Sequence, residues 1–245
     1  MKAVGLIPAR MESSRFPGKP LVEIEGLPMV VHVLKRSELC KNISEVYVAT
    51  DSAEISKAVN RFGGKTIMTS KSHKTGTDRI AEAVDTIDCD LVVNIQGDEP
   101  LVRPEDIDKL IGCIKDDPDV KFATLVCKTY KFNDVTECKV VLGQNNDILY
   151  MSRADIPSNS RTKADYLYKL YCVVAFQKTF LKKFASWPQT PLEKIEYIEY
   201  LRIIENGHRM RAVVIEEYTT SVDTPDDLKT VNDLMKKDKI KYKYL

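Results

Sequence analysis

The stretch LIPARMESSRFPGKPL, Leu6–Leu21, joins the end of an apolar run to a loop that carries Arg10, Arg15 and Lys19, two serines and a Pro17-Gly18 break. The run AVGLIPA is too short for a buried helix and is bounded by turn signals, so it reads as a fully buried strand. Guanidinium forks, a lysine ammonium and loop amides form an anion-binding set at a strand end, although a solvated basic loop would share this composition. Gly18-Lys19 is not a P-loop, because Ser13 stands where that motif needs glycine and Pro20 where it needs Ser or Thr.

The same alternation continues along the chain. PMVVHVLKRSELC, SAEISKAVNRF, TDRIAEAVDTI and PEDIDKLIGCIKD have helical spacing, while EVYVATD, KTIMTS and DLVVNI read as strands. Strand followed by helix, repeated, predicts an α/β fold with a parallel sheet covered on both faces. Ligands of such sheets bind at the carboxyl ends of strands, which here carry the cationic loop, Asp51, and Asp98 of NIQGDEP.

From about Phe122 the segments FATLVCKTY, CKVVLGQNNDILYMSR and YKLYCVVAFQ predict longer strands with polar turns. No Pro/Gly/Ser linker precedes them, so they read as an inserted mixed-sheet region of one domain. TPLEKIEYIEYLRIIENG predicts one helix, a strand MRAVVIEE follows, and TPDDLKTVNDLMKK closes the chain as a helix with a solvated basic tail. The expected division is a first half over 1–125, a second half over 126–220, and a terminal segment with its helix over 221–245.

With 245 residues the chain can bury a proper core. Lysine and arginine (37) balance aspartate and glutamate (36), which argues against a field that recruits nucleic acid or an anionic membrane. The six cysteines show no metal-ligand spacing and read as reduced core thiols. The first apolar run is too short for a signal peptide and no window has the length of a spanning helix, so a cytoplasmic location is expected.

Asp98 and Asp223 are candidate magnesium ligands against phosphate oxygens, since magnesium takes one or two carboxylates and leaves the rest to phosphate and water. Asp98 in a tight turn, and Asp223 or Thr224 as the N-cap of the last helix, would also be ordinary structural residues.

Taken together, IPARMESSRFPGKPL, VATD, MTSKSHKTGTDRIAE, VNIQGDEP, LYMSRADIP, TPLEKIEYIEYLR and VDTPDDL closely resemble the 3-deoxy-manno-octulosonate cytidylyltransferases, in the family's order over nearly the whole chain. The resemblance implies a Rossmann-like nucleotide-binding sheet with an inserted acceptor and dimerisation region. It implies transfer of CMP from CTP to an acidic sugar with Mg²⁺, release of pyrophosphate, a role in lipopolysaccharide biosynthesis, and a homodimer.

By the same resemblance Arg10, Ser13, Arg15 and Lys19 match the phosphate loop, and Pro8 and Ala9 the approach to the base. Thr77, Arg79 and Gln96 match positions near cytosine and ribose, and Asp98 and Asp223 the metal acids. Arg10, Arg15, Lys19 and Asp98 form the implied catalytic set, in which the acceptor's anomeric hydroxyl attacks the α-phosphorus in line with departing pyrophosphate.

The acceptor side departs from the family. Where members read close to KHIGIYAYR this chain has KLYCVVAFQ, with Leu170, Cys172 and Gln177 replacing histidine, glycine and arginine; Tyr200 replaces the glutamine of LEQLR. A 3-deoxy-manno-octulosonate-like sugar acid stays the expected acceptor; less polar partners also suit a changed or less hydroxylated one, another 3-deoxy sugar acid or a phosphonate, as the alternative. Lys139, Arg153 and Arg161 are candidates for its acidic group, beside Leu170 and Tyr200. A non-catalytic CTP-binding module and a sugar 1-phosphate nucleotidyltransferase are the competing readings.

Overall fold

The computed structural model describes residues 1–12, 16–216 and 218–245. Strand β1 (Ala3–Ala9) is almost wholly buried and lies in the middle of a parallel group with β4 (Ile43–Thr50), β5 (Lys65–Met68) and β6 (Leu91–Ile95). Its unbroken apolar run follows from cover on both faces. One face carries α1 (Met29–Glu38), α2 (Ala53–Arg61) and α4 (Pro104–Asp116). The other carries α3 (Gly76–Ala83) and two elements of the second half, α5 (Lys178–Ser186) and α7 (Leu201–Glu205).

The strands after Phe122 join the sheet begun by the first half. Among the described residues β7 (Phe122–Thr129), β10 (Leu167–Gln177) and β11 (Arg211–Val214) extend the same sheet, in the order β11-β7-β10-β6-β1-β4-β5. The hairpin of β8 (Lys139–Leu142) and β9 (Ile148–Ser152) is attached to β10 through β8. β10 runs antiparallel to both β6 and β7, and its register on β7 shifts between Tyr171 and Val174. The first part of this long strand pairs with β7 and β8, and the last part with β6 and β7.

Three expectations are corrected. The predicted helix TPLEKIEYIEYLRIIENG is two, α6 (Pro191–Glu196) and α7, broken where Tyr197 adopts a left-handed conformation (φ 57°). The break lets Glu196 accept from Ser152 Oγ and the Arg153 amide, and Glu199 from Thr77; these tertiary bonds outweigh continued helix. The basic tail is not simply solvated, because Lys241 is buried against Glu25 and the Tyr244 hydroxyl donates to His32 Nδ1 while His32 Nε2 donates to the Ile24 carbonyl. Finally, all six cysteines are free thiols, but Cys172 is exposed and Cys113 and Cys138 are only partly buried.

A small third core joins the terminal helix α8 (Pro225–Lys237) to the β2 (Glu23–Ile24) and β3 (Leu27–Pro28) hairpin, through Val231 and Met235 against Ile24, Met29 and Leu101. Beside it the buried Arg36 guanidinium donates to the carbonyls of Val102 (2.7 Å) and Leu101 (3.1 Å) and pairs with Asp238. No helix among the described residues is long and apolar enough to cross a membrane. Asp238→Ala would leave the Arg36 charge buried without its carboxylate, at a cost of about 3 kcal/mol. The expected fall in melting temperature is about 8 °C, read by calorimetry at neutral pH.

Candidate active site

Because β1, β4 and β6 are parallel, their carboxyl ends meet at one edge of the sheet and open a cavity of about 310 Å³. Two glycines bring the walls together. A Cβ on Gly76 would lie 3.0 Å from Pro8 Cγ, and one on Gly97 would lie 3.0 Å from the Pro8 carbonyl oxygen. The end of β1, Pro8 and Ala9, is therefore packed closely between the start of α3 and the turn after β6, and both residues line the cavity.

On the other wall Gly18 takes a left-handed conformation (φ 73°) and starts the 3-10 turn Lys19–Leu21. Lys19 Nζ donates to Asp98 Oδ2 (2.7 Å), to the Val222 carbonyl (2.9 Å) and toward Asp223 Oδ1 (3.4 Å). The Val222 amide in turn donates to the Asp98 carbonyl (2.9 Å), tying the approach to α8 onto the turn after β6.

The choice left open at the head of α8 is settled by the cap. Thr224 accepts from the Asp227 amide, and Asp227 closes the capping box, so Asp223 is not the N-cap. Its carboxylate instead faces Lys19. Both carboxylates thus pair with the one Lys19 ammonium. Among the described residues no group of three His, Cys, Asp or Glu side chains converges as a metal site.

Arg10 also lines the cavity and is exposed; Ser13 and Arg15 lie outside the described residues. Gln96 is at the wall, with its amide near Asn94 Oδ1 (3.3 Å). Arg79 reaches the cavity from α3. Thr77 does not: its hydroxyl is buried and donates to Glu199 Oε1 (2.6 Å).

The expected acceptor residues are not gathered in this cavity. Lys139 is fully buried, bonded to the Asp134 carbonyl and 3.4 Å from Asp155 Oδ1. Arg153 donates to the carbonyls of Glu196 (3.0 Å), Val135 and Thr136 (3.2 Å each) and Tyr197 (3.3 Å), so its guanidinium is engaged within the protein. Arg161 is exposed on the β9–β10 connection. Leu170 packs at the edge of the core, and Tyr200 is buried with its ring against Phe122 (5.1 Å) and Phe176 (6.3 Å).

Several residues of the site escape a reading by motif. His73, paired with Glu82, and Lys74 also line the wall; both stand in SHKTGTDR, where the composition was the available signal. Glu99 is buried, its Oε2 without a hydrogen-bond partner among the described residues, and burial with the neighbouring Asp98 raises its carboxyl above the ordinary range. Cys172 is reached by water, yet the protein packed around it and the Glu99 and Asp98 carboxylates push its thiol up, so it stays protonated.

Comparison with known proteins follows this geometry. Residues 4–211 match the cytidylyltransferase family profile. The chain is 42% identical to a 3-deoxy-manno-octulosonate cytidylyltransferase of Geobacter metallireducens, covering 94% of this chain and 96% of that protein. It is 41% identical to an 8-amino-3,8-dideoxy-manno-octulosonate cytidylyltransferase of Shewanella pealeana, with 94% and 96% covered. A solved structure of CMP:2-keto-3-deoxy-manno-octonic acid synthetase complexed with CTP superposes with a TM-score of 0.93 at 38% identity, covering 97% of this chain and 99% of that one.

Lys19→Ala removes the ammonium that pairs with both Asp98 and Asp223. Nucleoside triphosphate affinity is expected to fall about tenfold to a hundredfold in a calorimetric titration, and an unchanged affinity would take Lys19 out of the site.

Proposed function

The chain belongs to the family of 3-deoxy-manno-octulosonate cytidylyltransferases, and we propose that it transfers CMP from CTP to a 3-deoxy-manno-octulosonate-type sugar acid, releasing pyrophosphate. The observation that carries this reading is the convergence of Lys19, Asp98 and Asp223 on a cavity whose other wall holds Pro8, Ala9, Arg79 and Gln96. Triphosphate and base then have distinct ends: acids and lysine at one, the packed end of β1 and the start of α3 at the other.

Pro8, Ala9, Arg79 and Gln96 take the base and ribose, while Arg10 and Lys19, with Ser13 and Arg15 of the same loop, take the phosphates. The acceptor's anomeric hydroxyl oxygen forms its bond to the α-phosphorus as the bond to the bridging oxygen of pyrophosphate breaks. The hydroxyl proton leaves to solvent. Arg10 and Lys19 stabilise the charge that grows on the departing pyrophosphate. Asp98 and Asp223 fit a Mg²⁺ ion, because two carboxylates beside a triphosphate are the donor set that ion takes. When bound, Mg²⁺ supplies Lewis-acid charge at phosphate oxygens. No nucleophilic side chain is needed, and the protonated thiol of Cys172 is not suited to be one.

Exposed apolar side chains on the second half support a homodimer. Ile195 (79% exposed) and Tyr197 (85%) stand at the α6–α7 break, and Val135 lies across Arg153 from Tyr197, since the carbonyls of both accept from that guanidinium.

Two experiments follow. Pyrophosphate release from CTP and Mg²⁺, across a panel of 3-deoxy sugar acids, their 8-amino analogues, phosphonates and hexose 1-phosphates, is expected to be fastest with a 3-deoxy-octulosonate acid. Asp98→Asn should lower turnover by about two to three orders of magnitude; tight CTP binding without turnover on any acceptor would favour the binding module. Light scattering should give twice the 27.8 kDa chain mass for the wild type, and Ile195→Asp should shift the mass toward one chain.

A further inference from the structure

Arg79 is almost completely buried, yet it lines the nucleotide cavity, so only part of its guanidinium meets a ligand. The rest is held from behind. Nη2 donates to Asp51 Oδ2 at 3.0 Å, and Nη1 donates to Thr69 Oγ1 at 2.5 Å and toward the Ser70 carbonyl at 3.4 Å. Asp51 follows β4 directly and does not line the cavity. Thr69 is itself fixed, since its amide donates to the Thr50 carbonyl at 2.9 Å. Among the described residues Nε–H has no protein acceptor.

A guanidinium has five N–H donors in a rigid plane and no acceptor. Anchored at Nη1 and Nη2, it cannot rotate or slide without breaking a charged bond and a neutral one. The edge it presents to the cavity is therefore a fixed set of donors. Cytosine and uracil differ where such a set matters: N3 of cytosine accepts a hydrogen bond, whereas N3–H of uracil donates one and opposes another donor. A loose arginine would adapt to either base.

We propose that Asp51, assisted by Thr69, is a positioning residue that fixes the edge of Arg79 turned to the base and thereby sets the preference for CTP over UTP. This rests on the reading above that Arg79 lies at the base end of the nucleotide.

The test uses the full chain and compares kcat/KM for pyrophosphate release, and equilibrium binding, with CTP and with UTP. In Asp51→Asn the CTP-to-UTP ratio is expected to fall about tenfold, the value for one charged hydrogen bond, through KM for CTP with kcat at saturation nearly unchanged. Asp51→Glu keeps the carboxylate and should recover part of the ratio. Thr69→Val should lower it about threefold, and carries the comparison if Asp51→Asn does not fold.

An unchanged ratio, or equal losses for both nucleotides, overturns the inference. A wild-type enzyme that releases pyrophosphate yet treats CTP and UTP alike also overturns it while sparing the proposed function. Selective CTP binding without transfer to any acceptor overturns the proposed function instead, and the binding ratio still reads the role of Asp51.

Discussion

The contact between the Lys19 ammonium and the Asp98 and Asp223 carboxylates organises this molecule. The partners lie 79 and 204 residues from Lys19, so the contact closes the whole chain on itself. It is held by ordinary devices on each side: a left-handed glycine before the 3-10 turn, a backbone bond from Val222 to Asp98, and a capping box that occupies Thr224 and Asp227. The small core under α8 keeps the terminal segment against the β2–β3 hairpin and the start of α1. One ammonium between two carboxylates gathers opposite charges in a partly buried place, where Coulomb interactions exceed those in bulk water.

The two halves of the site are built on different principles. The nucleotide half uses the carboxyl ends of parallel strands, where loops and a helix start are free to carry chemistry. The other half depends on β10, which enters the same sheet in the opposite direction between β6 and β7. At its register shift the strand exposes Cys172 beside the acids of the turn after β6, where the family it resembles has glycine. Tyr200, standing for a glutamine, fills an aromatic cluster rather than a polar wall. Two departures from one family pattern thus have separate physical effects, one on the surface and one in the core.

Much of the cavity wall was legible because its residues are local to strand ends. Pro8, Ala9, Arg10, Lys19, Gln96 and Asp98 all follow apolar runs whose length and turn signals mark where strands stop. Thr77 and Arg79 show the limit of such reading. They stand two residues apart on one short helix, yet Arg79 reaches the cavity and Thr77 turns to Glu199. No property of GTDR decides that difference; the position of Glu199, freed by the break at Tyr197, does. The break itself was hidden, because the apolar spacing through Ile195 and Ile198 is that of a continuous helix, whereas Ile195, on the last turn of α6, is exposed.

By itself the amino-acid sequence determined the alternation of buried strands and amphipathic helices, the cationic loop after β1, and the acids available to face it. These follow from side-chain volume, periodicity and turn chemistry, which act over a few residues. Tertiary structure alone decided that β10 lies inside the parallel sheet, that Lys139 and Arg153 are engaged internally, and that the basic tail docks on His32 and Glu25. Each of these turns on which distant partner satisfies a buried polar group. That choice costs or gains free energy only when the chain has closed.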